Sequence, residues 1–140
     1  MFNYSRLIKN DYGPDPYIIN ISESSLNNKF FRQTIWTGKN LQLTLMSIPA
    51  GGEIGLENHS HVDQFLKIEK GQGLVLMGKN KDNFTIKKNV QAGFAIFIPA
   101  GTWHNLINTA NIPIKLYSIY APPNHPPGTI HVTKEMAENY

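Results

Sequence analysis

The 140-residue sequence contains no cysteine. A disulfide framework, a zinc finger, an iron–sulfur cluster and a thiol nucleophile are therefore excluded. A transition metal would have to be held by histidine, carboxylates or neutral oxygens. Arginine is nearly missing, with Arg6 and Arg32 alone. A surface built on guanidinium forks to read phosphates has little to draw on. Charge of either sign is sparse: charged residues make up 16% of the chain, and the net charge is +3. Acidic residues are interspersed with the lysines, which fall in pairs beside turns (Lys67/Lys70, Lys79/Lys81, Lys87/Lys88). Lysines so placed protect strand edges, and no nucleic-acid partner is expected. Residues 1–20 hold no unbroken apolar stretch of the kind a signal peptide carries. Nothing approaches the roughly 20 apolar residues of a membrane span. A cytoplasmic protein without membrane attachment is the expectation.

What is present is a chain of strands and turns. The 41% apolar content supports one buried core, and the length suits one domain. Eleven glycines and nine prolines are too many for a helical bundle and too few for a disordered linker. Residues 17–21 read as a short β-type run, and 24–31 as one or two helical turns capped by Ser24 or Ser25. Leu41, Leu43 and Leu45 alternate with Gln42, Thr44 and Met46, the period-two mark of a half-buried strand. That strand stops at Pro49-Ala50-Gly51-Gly52. Further strands are expected over 54–61, 64–69, 73–77, 84–88, 94–98, 103–108 and 112–121. Many short strands with Gly, Pro and Asn turns between them predict an all-β sandwich or barrel. The proline-rich segment 122–128 cannot be a central strand and reads as an arm, with a last helical turn over 134–139.

The histidines carry the chemistry. His59 and His61 are two apart on an expected strand, so both imidazoles project to one side. Gln64 follows three residues later and reaches the same space if the strand bends near 62–63. His104 lies just beyond the Pro99-Ala100-Gly101 turn and can close the site from a neighbouring strand. An HxH pair alone is a weak signal, and Gln is a poor ligand. The spacing of the whole pattern is what raises it.

The segment from Gly93 reads G-(x5)-P-x-G-(x2)-H-(x3)-N through Pro99, Gly101, His104 and Asn108. The earlier segment reads H-x-H-(x2)-Q-(x6)-G through His59, His61, Gln64 and Gly71. Together they resemble the two motifs of the cupin superfamily. Two departures stand in the first motif: Glu53 occupies the place of the glycine six before the first histidine, and Gln64 replaces the usual glutamate. The stretches Trp36-Thr37-Gly38, Ile54-Gly55-Leu56-Glu57, Asp63-Gln64-Phe65 and 117–123 are similar to a bacterial group of single-domain cupins labelled mannose-6-phosphate isomerase-like. The similarity runs over about residues 15–137.

The resemblance implies a single-domain cupin jelly-roll β-barrel, a double-stranded β-helix with short terminal arms. The division expected is an N-terminal arm and first strands over 1–39, the barrel over 40–121 and a C-terminal arm over 122–140. It implies a divalent transition metal (Zn, Fe, Mn, Ni, Co or Cu) held by His59, His61, Gln64 and His104. Glu57 shares parity with the two strand histidines and is the candidate base, with a ligand or supporting role as its alternatives. His125 and His131 cap the pocket if the C-terminal arm folds over the barrel mouth; exposed tail positions are the simpler reading. Lys115 is the nearest cation expected for a phosphate, and Asn108 is expected to hold a turn. The function implied is a sugar or sugar-phosphate isomerase, with the metal polarising the carbonyl. The alternatives are a metal-dependent dioxygenase and a non-catalytic metabolite-binding cupin. A small molecule such as a carbohydrate is the expected partner, and a homodimer the expected assembly.

Overall fold

Period-two alternation on three neighbouring strands sets both the core and the site. The computed structural model describes residues 11–138. Among these, the order is α1 (Ile21–Asn27), β1 (Arg32–Thr37), β2 (Gln42–Ile48), β3 (Asp63–Lys70), β4 (Gln72–Gly78), β5 (Ile86–Gln91), β6 (Ala95–Ile98), β7 (Trp103–Asn108), β8 (Ile114–Ala121), β9 (Ile130–His131) and α2 (Lys134–Glu138). The strands form a six-stranded sheet, β6-β3-β8-β2-β1-β9, and a three-stranded sheet, β5-β4-β7. All pairings are antiparallel. The two sheets enclose a core of Met46, Ile48, Leu66, Ile68, Val75, Leu106, Ile114 and Leu116. This is the jelly-roll arrangement the strand pattern predicts.

The inward residues change character along each strand. On β2 they run Gln42, Thr44, Met46, Ile48; on β8, read in reverse, Tyr120, Ser118, Leu116, Ile114. The register pairs Gln42 with Tyr120, Thr44 with Ser118, Met46 with Leu116 and Ile48 with Ile114. On β3, Gln64 lies beside Tyr120, while Leu66 and Ile68 continue toward the apolar end. One end of the barrel is thus lined with polar groups and the other with hydrocarbon. On β2 the face turned inward is the one that carries Gln42, Thr44 and Met46. Gln42 and Thr44 point inward, whereas Leu41 is exposed and Leu45 is buried on the outer side, the side of the sheet where α1 packs.

Three expectations change. Residues 17–20 form no strand, and Ile21 opens α1, whose N-cap is Asn20 rather than Ser24 or Ser25: the Asn20 side chain accepts a hydrogen bond from the Glu23 N–H. Residues 54–61 are not a regular strand. Glu53 and Glu57 make isolated bridges to Ile107 and His104 of β7, and Ser60 and His61 lie in a turn. The C-terminal segment is ordered across the barrel end. The Gln42 amide oxygen accepts from the N–H groups of Asn124 and His125, and its nitrogen donates to the His125 carbonyl. The Gly128 N–H donates to Asp11, and β9 then pairs with β1, setting His131 opposite Arg32. The first ten residues of the expected N-terminal arm, Arg6 among them, and the last two of the chain lie outside the described residues.

Two turn residues show why this topology needs these side chains. Gly71 joins β3 to β4 at φ +98°, and a Cβ there would sit 2.9 Å from the Pro113 carbonyl oxygen. Asn108, at the end of β7, donates to the carbonyls of Ile48, Pro49 and Ile112, and its oxygen accepts from the Ala110 N–H. Buried carbonyls left without a donor destabilise by about 1–3 kcal/mol each. Asn108→Ala is therefore expected to lower unfolding stability by about 2–3 kcal/mol in a urea titration, and an unchanged midpoint would contradict that role.

Candidate metal centre

The site starts from one backbone pairing. Glu57 and His104 face each other across an antiparallel bridge, the Glu57 N–H donating to His104 O at 3.0 Å and the His104 N–H to Glu57 O at 2.9 Å. Directly opposed residues send their side chains to the same face. The Pro99–Gly101 turn brings in the next part: the Gly101 N–H donates to the His59 carbonyl at 2.8 Å, with Gly101 at φ +82°. Asp63 steadies that turn by accepting from the Ala100 N–H.

Three side chains meet as a result. Glu57 Oε2 lies 3.4 Å from His59 Nε2 and 3.6 Å from His104 Nε2. The ligating atoms of Glu57, His59 and His104 all fall within 4.8 Å of one another. His104 Nδ1 is 2.9 Å from the Thr102 carbonyl, which can only accept, so the proton of the neutral ring sits on Nδ1 and Nε2 presents its lone pair. Gln64 donates through Nε2 to Ser118 Oγ at 3.0 Å, which leaves Oε1 as its free end. Burial pushes the Glu57 carboxyl up, but hydrogen bonds that the His104 and His59 rings can donate to it when their facing nitrogens carry the proton, together with the Arg32 guanidinium, outweigh burial and hold the group well below the usual carboxylate range.

Unpaired atoms test whether this cluster suits a metal. Among the described residues, the buried side-chain polar atoms without a hydrogen-bond partner are Arg32 Nε, Thr44 Oγ1, His59 Nε2, Gln64 Oε1 and His104 Nε2. Three of the five are electron-pair donors that coordinate divalent ions, and Glu57 adds an anionic oxygen. Buried polar groups are normally satisfied. Two imidazoles, a carboxylate and an amide oxygen fit a divalent cation in charge and in donor type.

His61 does not join this group. It is exposed in the turn that follows His59. The first motif gains consistency when moved back by two residues. Glu57 and His59 then fill the two H-x-H slots, Gly51 stands six residues before Glu57, and Gly71 keeps its place after Gln64. Glu53, standing where the earlier register needed a glycine, is the signal for this shift.

Other cavity residues come from the ends of the chain. A cavity of about 640 Å³ lies between the barrel end and the C-terminal arm, with Arg32, Glu57, His125, His131 and Lys134 in its walls. Arg32 Nη1 is 3.2 Å from His131 Nδ1, and Nη2 is 3.8 Å from Glu57 Oε1. Tyr120 is fully buried; its hydroxyl lies 3.3 Å from His125 Nε2. Lys115 lies elsewhere, donating to Asn28 O and Ser47 Oγ. Arg32 and the two arm histidines belong to the cavity through tertiary return of the chain, which no local spacing announces, and Tyr120 lies behind His125.

The comparisons with known proteins agree on the fold. Residues 44–120 match the family model described as a cupin domain. That is more than half of the chain, and the chain belongs to the cupin family. An uncharacterized Bacillus subtilis protein, YrkC, is 58% identical over 131 residues, which are 94% of this chain and 70% of that one. A crystal structure from Bacillus halodurans, 54% identical, superposes with a TM-score of 0.92 over 94% of this chain and 99% of the other. A Lactobacillus farciminis oxalate decarboxylase solved with formate shares the fold at 20% identity, with a TM-score of 0.56 over 63% of this chain and 26% of its own. Among the described residues, no helix is long and apolar enough to cross a membrane.

Burial, followed by the nearby Arg32 charge, pushes the His125 imidazole down to about 3. Its unfolded value is near 6.5, so the folded state binds fewer protons between the two values. The neutral ring's contribution is present above about pH 6.5 and is lost as pH falls toward 3. His125→Gln is expected to flatten the melting temperature between pH 7 and pH 4 relative to wild type. Parallel profiles would show that His125 does not carry this sensitivity.

Proposed function

We propose that the chain is a divalent-metal cupin in which Glu57, His59, Gln64 and His104 hold the ion, and that it acts on a small oxygen-rich metabolite in the cavity beneath the C-terminal arm. The observation that carries this is the set of buried, unpaired donor atoms on His59, His104 and Gln64 at the end of the barrel where Glu57 turns its carboxylate inward. A bound divalent ion supplies a Lewis acid for a carbonyl or hydroxyl oxygen. The protein supplies the rest. Thr102 fixes the His104 tautomer, Ser118 orients Gln64, and the arm forms one wall of the cavity. In this reading Glu57 serves as a ligand, and its second oxygen faces Arg32.

Isomerisation of a sugar or sugar phosphate remains the reaction favoured. Support comes from Arg32, a buried cation in the cavity wall that answers the scarcity of arginine elsewhere. The cytoplasmic homodimer belongs to the same proposal. Phe97, 71% exposed on edge strand β6 and set edge-on against Phe65, is an apolar surface suited to a second copy.

Metal content of untagged protein tests the ligand set. Wild type and His61→Gln should each retain about one divalent ion per chain, whereas Glu57→Gln, His59→Gln and His104→Gln should lose most of it. Equal loss in His61→Gln and His59→Gln would overturn the assignment. For the reaction, metal-loaded protein incubated with aldose and ketose phosphates in deuterated water should place label on the carbon that exchanges its proton. Binding without exchange across the panel would favour a metabolite-binding role instead.

A further inference from the structure

Arg32 is 4% exposed, and its guanidinium is only partly used. Nη1 faces His131 Nδ1 at 3.2 Å. Nη2 lies 3.8 Å from Glu57 Oε1, an ion-pair distance longer than a hydrogen bond. Nε is buried without a partner. A guanidinium buried in a protein is normally matched on its fork by paired acceptors, because its desolvation is otherwise uncompensated. Here the fork meets the His131 ring, the Tyr120 hydroxyl and, at ion-pair distance, Glu57, while Nε has no acceptor of its own, in the wall of the cavity.

The charge around it points the same way. Arg32 and Lys134 are the cations of the lining, and Glu57 and Glu138 the anions. Lys134 is already engaged, 3.4 Å from Glu138 and 3.9 Å from Glu53. His125 and His131 are held toward the neutral form by burial and by Arg32. The lining is therefore balanced by itself and becomes doubly positive once a divalent ion sits on Glu57, His59 and His104. Phe31, Ile54 and Ala137 add apolar wall, where a charge is poorly screened.

We infer that Arg32 is the oxyanion end of the ligand site, taking through Nε and Nη2 the carboxylate or phosphate of a small metabolite whose hydroxyl or carbonyl oxygen faces the metal. This rests on the metal reading above. The Glu57 carboxylate separates the two ends, with Oε2 toward the histidines and Oε1 toward Arg32. The ligand is accordingly short, with its anionic group only a few bonds from the oxygen that the metal polarises. Planar bidentate recognition of this kind is what distinguishes Arg from Lys.

Isothermal titration of metal-loaded wild type, Arg32→Gln and Arg32→Lys tests it, with metal content measured on each. The probes are glycolate, glycerol 3-phosphate and neutral glycerol. At least one anion should bind wild type more tightly than glycerol, and which one does distinguishes carboxylate from phosphate. Arg32→Gln should weaken that anion by roughly tenfold or more with metal content unchanged, and Arg32→Lys should fall between. Glycerol binding should not change. Three results overturn the inference: anion binding to Arg32→Gln equal to wild type, neither anion preferred over glycerol, or loss of metal from both Arg32 variants. Should Arg32→Gln fail to fold, wild-type affinity in Arg32→Lys overturns it instead. Wild type that takes up no metal defeats the metal reading separately, and the same titration of the metal-free chain still decides the role of Arg32.

Discussion

Two backbone hydrogen bonds between Glu57 and His104 organise everything around them. They join a segment with little regular structure of its own to β7, a strand of the smaller sheet. Without them, the Glu57 carboxylate and the His104 imidazole would belong to unrelated parts of the chain. With them, the two side chains share a face, and His59 is brought in by the Gly101 N–H on its carbonyl. The candidate metal centre is in this sense a consequence of strand pairing. The ligands are placed by main-chain geometry, and neighbouring groups such as the Thr102 carbonyl and the Ser118 hydroxyl set their orientation.

The barrel supplies the environment. Because the inward residues of β2, β3 and β8 change from polar to apolar in register, the hydrocarbon core closes one end and leaves the other able to carry function. The C-terminal arm completes the polar end. Gln42, fully buried, ties down the backbone of Asn124 and His125, and the β1–β9 pairing sets His131 against Arg32. The arm is thus part of the site, and its histidines sit where burial and a neighbouring cation push them toward the neutral form.

Much of this was legible in the sequence, for identifiable reasons. The motif from Gly93 to Asn108 gave the fold family and His104, and Asn108 holds its turn as expected. Short alternating segments mark β2 to β8, with shifts of a few residues at their ends, whereas no pattern marks β1 at Arg32–Thr37 or the two-residue β9. The HxH reading placed His61 by assuming an extended strand through position 61, whereas the chain turns at Ser60–His61 and the side chain faces solvent. The two-residue rule holds instead for Glu57 and His59. On β2 the alternation shows a half-buried strand but not which face is inward, and the barrel end takes Gln42 and Thr44 inside. Arg32, His125 and His131 depend on contacts across the whole chain, 99 residues apart for Arg32 and His131, and no local pattern encodes such a meeting.

Anomalous diffraction from crystals of the metal-loaded protein addresses the central claim most directly. One strong anomalous peak per chain is expected within coordination distance of Glu57, His59, Gln64 and His104, with His61 pointing to solvent. A peak ligated by His61 in place of Glu57, or no peak in fully loaded crystals, would contradict it.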